Sequence, residues 1–465
     1  MTAAHTSRAA TPQTFVEHAL ATSAADDCMV IVRDRTSANL RWANNTLTTN
    51  GVMSALDVTV ISFVGKSTAS VTASVTTLGG VTALVQAADA AAGDADPAED
   101  ANDLVRDRTS PDWDEPPVPT DIHEYDAVAP ALGEAFGRAA AAGRILYGFV
   151  NHEVTTTYLG STTGLRLRHV QPTGHVGCTG KTADLTRSAW VGAATRDFTD
   201  VDPLALDEEL ARRLAWADRR VDLPAGRYDT ILPPSAMADL MIDAYWHAGA
   251  RVAWEGQSVY SQRGGGTRIG QRIAQRGVDM FSDPAYPGLE CLPFAVTASS
   301  GNEESVFDNG LPVERTDWIR DGELAALIQT RHTAAMTSQP VTPGIDNLGL
   351  SVAGATGTIE DLVAGTERGL LLTCLWYIRE VDPQTLLLTG LTRDGVYLVE
   401  NGEITGAVNN FRFNESPIDV LNRFTHASAT VPAFSREWGD DYFSRTAMPA
   451  LRVPDFNMSS VSQAQ

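Results

Sequence analysis

"TLLLTGLTRDGVYLVENGEITGAVNNFRF", residues 385–413, decides the fold of the C-terminal half. Apolar and polar residues alternate with the period of a half-buried strand. Asp394-Gly395 and Asn401-Gly402 are dipeptides that favour tight hairpin turns. The stretch therefore predicts three antiparallel strands joined by two turns, and "SPIDVLNRF" after it predicts a short helix. Upstream, Gly369–Ile378 (GLLLTCLWYI) is the longest apolar run; it is too short to cross a bilayer and suits a buried strand. Asn309-Gly310 and Asp321-Gly322 add further hairpin signals. Residues 223–455 thus predict a mostly antiparallel, barrel-like β domain carrying a few helices, with 456–465 as a frayed tail.

Residues 1–222 mix the two periodicities, so the fold class expected for the chain is α+β, an N-terminal α/β domain before the β-rich one. "TPQTFVEHALAT", "GGVTALVQAADAAA", "PALGEAFGRAAAAG" and "DPLALDEELARRLAWADRR" read as helices. "CMVIVRD", "NLRWANNTLTTNGVMSALDVTVISFVG" and "RILYGFVNHEVTTTYLGSTTGLRLRHVQ" read as strands, with Asn50-Gly51 marking a turn. Between Asp89 and Pro116, ten acids face two arginines in a Pro- and Ala-rich setting. That composition predicts a solvated, flexible insertion over about 89–120.

The net charge is −23, and Lys66 and Lys181 are the only lysines. Such a surface repels phosphate backbones and anionic lipid, which argues against nucleic-acid and membrane partners. The first residues hold no run apolar enough for a secretory signal, and a cytoplasmic protein is expected. Cys28, Cys178, Cys291 and Cys374 are widely spaced and form no CxxC pair, so buried free thiols are expected.

Few stretches point to chemistry. "GGGTRIG" (264–270) follows no apolar parallel strand and precedes no phosphate-binding lysine, so it reads as a loop. There is no GxSxG elbow. His123-Glu124 and His152-Glu153 lack a second histidine at a zinc-helix offset. One candidate remains, "ADLMIDAYWHAGA" (238–250), which reads as an amphipathic helix with Asp243 and His247 one turn apart. Two such side chains could supply two ligands, but a hydrolytic metal centre needs at least three ligands and an acid-base carboxylate. Solvated or hydrogen-bonded structural residues are the plainer reading of the pair.

"VDLPAGRYDTILPPSAMADLM" (221–241), "WEGQSVYSQRGGGTRIGQRI" (254–273), "SVFDNGLPVERTDWIRDGEL" (305–324) and "VYLVENGEITGAVNNFRFNESPIDVL" (396–421) together resemble the TldD/PmbA family. "RWANNTLTTNG" (41–51) and "GSTTGLR" (160–166) fit it too. The resemblance implies a metallopeptidase assembly that processes peptides. TldD-type subunits carry a His-Glu-x-x-x-His helix; aligned on it, this chain has Ile242 at the first histidine, Asp243 at the glutamate and His247 at the last histidine. A small residue usually precedes that last histidine, and here it is Trp246. Histidines five apart lie about 140° apart on a regular helix and converge only if it distorts, which a bulky Trp246 opposes.

The chain therefore resembles the TldE/PmbA branch, which lacks the metal motif. That branch implies no metal and no catalytic residue on this chain, zinc or a similar divalent ion on a TldD-type partner subunit, and unfolded or extended peptide as substrate. Two alternatives stay open: an atypical peptidase using His247 and Asp243 with Cys374, His332 or His426, or a stand-alone binding or scaffold protein.

Overall fold

The computed structural model describes residues 10–439 and 445–462. Helix α1 (Pro12–Thr22) leads into strands β1 (Asp27–Ala43), β2 (Thr46–Val64) and β3 (Ser67–Ser74), then helices α2 (Leu78–Asp94) and α3 (Val128–Ala141). Strands β4 (Arg144–Ser161), β5 (Arg166–Thr182) and β6 (Ser188–Thr195) and helix α4 (Pro203–Trp216) complete the N-terminal half. Its six strands pair antiparallel in the order β3-β2-β1-β4-β5-β6. All four expected helices form, and they cover one face of this sheet. Phe15, Val16 and Val85 meet Val30, Val58 and Val60, while Leu132, Phe136 and Leu210 meet Leu40, Trp42 and Val176. The opposite face starts with Met29, Ile31 and Phe63, which pack on Phe294, Val306 and Phe307 of the C-terminal half. Burial on both faces explains why "CMVIV" is apolar without alternation.

Asn50-Gly51 is not a turn; it lies inside β2, opposite Leu40 and Asn39. The hairpin turns at Asn44-Asn45, where both residues are left-handed (φ 51° and 56°), the geometry of a type I′ turn. Asparagine tolerates that region almost as well as glycine, so Asn-Asn does the work expected of Asn-Gly.

Residues 95–120 also differ from expectation. They carry almost no regular structure, yet they form a fixed strap between the two halves, and Asp89–Asp94 belong to α2. Leu104 and Trp113 are mostly buried. Asp112 pairs with Arg168 at 2.6 Å, Ser305 donates to Asp100 at 2.6 Å, and Arg331 donates to the Asp103 carbonyl at 2.8 Å. Ion pairing with arginines beneath it holds a segment whose composition alone suggests a solvated loop.

The C-terminal half contains β7 (Arg220–Val221), β8 (Gly226–Leu232), α5 (Pro234–Trp246), α6 (Ala250–Trp254), β9 (Val278–Ser282), β10 (Thr316–Arg320), β11 (Glu323–Leu324), α7 (Arg331–Thr337), β12 (Leu348–Val352) and α8 (Ile359–Ala364). It continues with β13 (Arg368–Leu372), β14 (Leu375–Asp382), β15 (Leu387–Thr392), β16 (Val396–Glu400), β17 (Glu403–Val408), β18 (Phe411–Glu415), α9 (Pro417–Arg423), β19 (His426–Ala427), β20 (Val431–Ala433), β21 (Thr446–Met448) and β22 (Leu451–Val461). These form one sheet in the order β11-β10-β9-β12-β21-β20 and a larger one in the order β14-β15-β18-β22-β8-β13-β16-β17-β7, with β19 on β22.

Asn401-Gly402 and Asp321-Gly322 make the expected hairpins, β16–β17 and β10–β11. Asp394-Gly395 does not. β15 pairs with β14 and β18, and β16 pairs with β13 and β17. Gly395 takes φ +155°, and its carbonyl accepts from the Thr373 amide at 2.9 Å, which draws the link toward β13. The apolar run 369–378 likewise splits into β13 and β14 at Thr373-Cys374. Each link is two or three residues, at most about 14 Å of chain. Yet β13 and β14, like β15 and β16, stand five places apart in the sheet order, about 24 Å if the sheet were flat. The large sheet must therefore curl strongly. It is barrel-like in curvature but open, since β14 and β7 do not pair among the described residues. The supposed tail is mostly strand, because β22 runs to Val461 and pairs with β8 and β18; residues 463–465 lie outside the described residues.

Candidate functional site at the end of helix α5

Helix α5 begins at Pro233-Pro234, where proline suits the first turn, and ends at His247. It is not amphipathic. Every residue from Ala236 to Tyr245 is buried, and the helix packs on β8 of the large sheet, β20 and β21 of the small one, and α9. A helix apolar all round belongs in a core, and here two sheets share it. Ile242 lies fully inside that core.

Two aspartates interrupt the apolar surface, one turn apart. Asp239 is completely buried; it accepts hydrogen bonds from the Ser435 hydroxyl (2.6 Å) and the Glu437 amide (3.0 Å). Burial raises its carboxyl to about 7, against the pull of those two donors. The Asp239 carbonyl also accepts from the Trp438 indole at 2.9 Å, and Trp438 meets Trp246 edge-on at 4.9 Å.

Asp243 is buried beside His247, whose side chain is about one-third exposed. His247 Nδ1 lies 2.8 Å from the Asp243 carbonyl and 3.2 Å from Asp243 Oδ1, and Nε2 lies 2.6 Å from Glu380 Oε2. The bond to Asp243 lifts the imidazole to about 9, burial opposes the rise, and Glu380 adds to it. His247 is therefore an imidazolium near neutral pH, with both ring N–H groups directed at oxygen acceptors.

A cavity of about 450 Å³ opens beside this end of the helix, lined by Tyr245, Trp246, Phe294, Glu303, Glu304 and Asp346 among others. Burial lifts Glu303 to about 7, opposed by the charge of His247. Arg33 of β1 carries the field of Asp346 and Glu304, so the N-terminal sheet reaches the neighbourhood of the cavity. Burial beside Arg35 lowers Arg33, against those carboxylates.

A zinc ion does not fit the three positions that the resemblance aligns with a metal motif. Ile242 has no donor atom, and both ring nitrogens of His247 are engaged by oxygen, Nδ1 by Asp243 and Nε2 by Glu380. Among the described residues no group of three or more His, Cys, Asp or Glu side chains could hold a metal. The other candidates lie apart from His247. Cys374 is buried with its thiol pushed far up, His332 faces Glu99 at 3.6 Å, and His426 is exposed beside Thr425. All four cysteines are free and buried, as expected. "GGGTRIG" is a loop with four glycines at positive φ.

Sequence reading missed Asp239, Glu303, Glu380 and Glu437. For Asp239 a signal existed, an acid set four residues before Asp243 in an otherwise apolar helix. The others come from distant segments, and nothing local marks them. Glu437, for example, accepts from the Tyr377 and Ile378 amides at 3.0 Å, a pairing made possible by the left-handed Tyr377 (φ 52°). It thereby ties the 434–438 loop to β14, the strand that carries Glu380.

Residues 225–460 match the PmbA/TldA metallopeptidase C-terminal domain, and residues 28–95 match PmbA/TldA metallopeptidase domain 1. The chain belongs to the PmbA/TldD family. The family is metallopeptidase-related, and its fold extends over nearly the whole chain. TldE from Thermococcus kodakarensis superposes with a TM-score of 0.75 at 14% identity, covering 96% of this chain and 99% of that one. A protein from Thermotoga maritima described as a modulator of DNA gyrase gives 0.75 at 16% identity, with the same coverage. Another so described, from Bacteroides thetaiotaomicron, gives 0.72 at 12% identity, covering 97% and 98%. These similarities establish the PmbA/TldD fold. No curated protein matches the sequence. Among the described residues no helix is long and apolar enough to cross a membrane.

Proposed function

We propose that this chain is the metal-free, TldE-like subunit of a two-subunit metallopeptidase that acts on unfolded or extended peptides. One observation carries the reading: the position aligned with the first zinc ligand, Ile242, is closed into the core, while the position aligned with the last, His247, is held between two carboxylates. Ile242 offers no lone pair, and His247 could offer one only by releasing a proton and leaving a carboxylate partner, so we take the hydrolytic centre to come from a partner with an intact His-Glu-x-x-x-His helix. The likeness to a TldE fold supports the same assignment. A strand-rich subunit suits such a substrate, because an extended peptide can add to a sheet edge through main-chain bonds that ignore sequence.

The test is co-expression with a TldD-type subunit, followed by metal analysis and a peptide-cleavage assay on each subunit and on the mixture. Cleavage and stoichiometric zinc are expected only where the partner is present, and His247→Ala should leave the metal content of the complex unchanged. Unaided cleavage by this chain, abolished by His247→Ala together with bound zinc, would sink the proposal in favour of an atypical peptidase.

A further inference from the structure

Strand β2 is paired on both sides along only part of its length. β3 covers it from Asp57 to Val64, whereas β1 accompanies it down to Thr46. Among the described residues, Thr46–Ala55 therefore presents a free strand edge. Natural proteins blunt such edges with charge, proline or a covering segment, because unpaired N–H and C=O groups invite another chain. This edge has none of these. "TLTTNGVMSA" contains no charged residue and no proline, in a chain of net charge −23. Leu47, Val52 and Met53 are exposed by 47%, 49% and 64%. Val52 stands opposite Ala38 and Leu47 opposite Trp42, so both extend the apolar layer that Ala38, Leu40 and Trp42 form beneath α3; Met53, opposite Ser37, lies on the other face.

We propose that this edge is the docking surface for the catalytic TldD-type subunit, which adds an uncharged strand of its own to β2. The inference rests on the pairing proposed above. A loose peptide could satisfy the main-chain groups but would leave apolar side chains wet on both faces; only a folded subunit covers Leu47, Val52 and Met53 together. The strip is about 33 Å long and, as a sheet seen edge-on, roughly 10 Å deep. Its ~330 Å² is less than half of the ~800 Å² per partner of a standard interface, so the occupant must be a folded subunit that reaches beyond the edge strand itself. A second copy is a poorer occupant, because two chains of net charge −23 repel each other.

The experiment measures binding of the purified chain to its TldD-type partner, using wild type, the double variant V52E/M53E and the control Val431→Glu, whose site is exposed elsewhere. Wild type and control should form a 1:1 complex. The double variant should bind at least 100-fold more weakly with an unchanged melting temperature, and amide exchange in 46–55 of the wild type should slow when the partner is added. Binding by the double variant within threefold of wild type, or no added protection of 46–55, overturns the docking surface and leaves the pairing intact. Absence of any wild-type complex overturns the pairing itself. Self-association of the wild type that the double variant abolishes overturns the choice of occupant. Should V52E/M53E fail to fold, the exchange measurement on wild type decides alone.

Discussion

Helix α5 and the far end of the β1–β2 hairpin are opposites. Along α5 every side chain from Ala236 to Tyr245 is buried and each aspartate has a defined set of partners, whereas β2 between Thr46 and Ala55 exposes large apolar side chains and one unpaired edge. The helix is where the resemblance places metal chemistry, and the hairpin is where sequence reading saw only strand and turn. The difference teaches that a position which the resemblance aligns with a metal ligand need not stay open: here core fills it, and the uncommitted surface lies elsewhere. Substitutions in α5 should therefore act on stability, and those in the hairpin on association.

The sharpest way to break that contrast is to rebuild the motif. Ile242→His puts an imidazole where Ile242 has no exposure, so it loses apolar burial and strands a polar group. Roughly 3–5 kcal/mol of destabilisation is expected in urea unfolding, with no stoichiometric zinc even when Asp243→Glu is added. A stable Ile242→His variant that retains zinc would mean that the helix end is plastic and the contrast false. Asp239→Ala comes next. It leaves the Ser435 hydroxyl and the Glu437 amide without their acceptor inside the core, for a loss of roughly 2–3 kcal/mol. If this variant unfolds like wild type, the 434–438 loop is not fixed through Asp239.

The same helix should set a pH dependence in two windows. Asp239 is raised from the carboxylate range to about 7, so the folded state binds its proton more tightly than the unfolded state does. Its contribution is complete below about pH 4 and is lost as pH climbs through about 7. His247 is raised to about 9, so its contribution is complete below about pH 6.5 and is lost as pH rises through about 9. Allowing for solvent screening at a partly exposed side chain, the His247 window amounts to about 1–2 kcal/mol. Asp239→Asn should shrink the lower window, which buried Glu303 shares, and His247→Gln should remove the upper one. Both are read from melting temperature against pH; a wild-type profile flat from pH 6.5 to 9 would show that the His247–Asp243–Glu380 pairing contributes nothing.

How far the sequence could be read depended on whether the deciding contacts were local. Helices α1 to α4, the buried strand at Met29–Val32 and the hairpins at Asn401-Gly402 and Asp321-Gly322 follow from short-range pattern, because their turns and periods are set within a few residues. The links at Thr373-Cys374 and Asp394-Gly395 could not be read, since they join strands that lie far apart in the sheet order, and only the curl of the finished sheet brings them together. The strap at 95–120 failed for a related reason: its acids meet Arg168 and Arg251, arginines that come from outside the segment. At the site, the sequence set Asp243 and His247 one turn apart, as the structure has them, but the carboxylates that flank His247 were only half visible. Asp243 stands in the helix, while Glu380 comes from a strand more than a hundred residues on.

The smallest effect tests the hairpin itself. If Asn50-Gly51 were a type I′ turn, Gly51 would need positive φ, and alanine there would cost about 1 kcal/mol or more. In the structure Gly51 is ordinary strand. It is not among the positive-φ glycines, and an added Cβ would come no nearer than 3.9 Å to the Asn39 side chain. Gly51→Ala therefore loses no native geometry and restricts the unfolded chain, which should stabilise the protein by about 0.5 kcal/mol. Because the residue belongs to the proposed docking strand, the same variant should bind the partner subunit as wild type does: a methyl group adds neither charge nor a break in the main-chain edge. A measured loss of stability would move the turn back to residues 50–51, shorten β2 and remove the free edge on which the contrast with α5 depends.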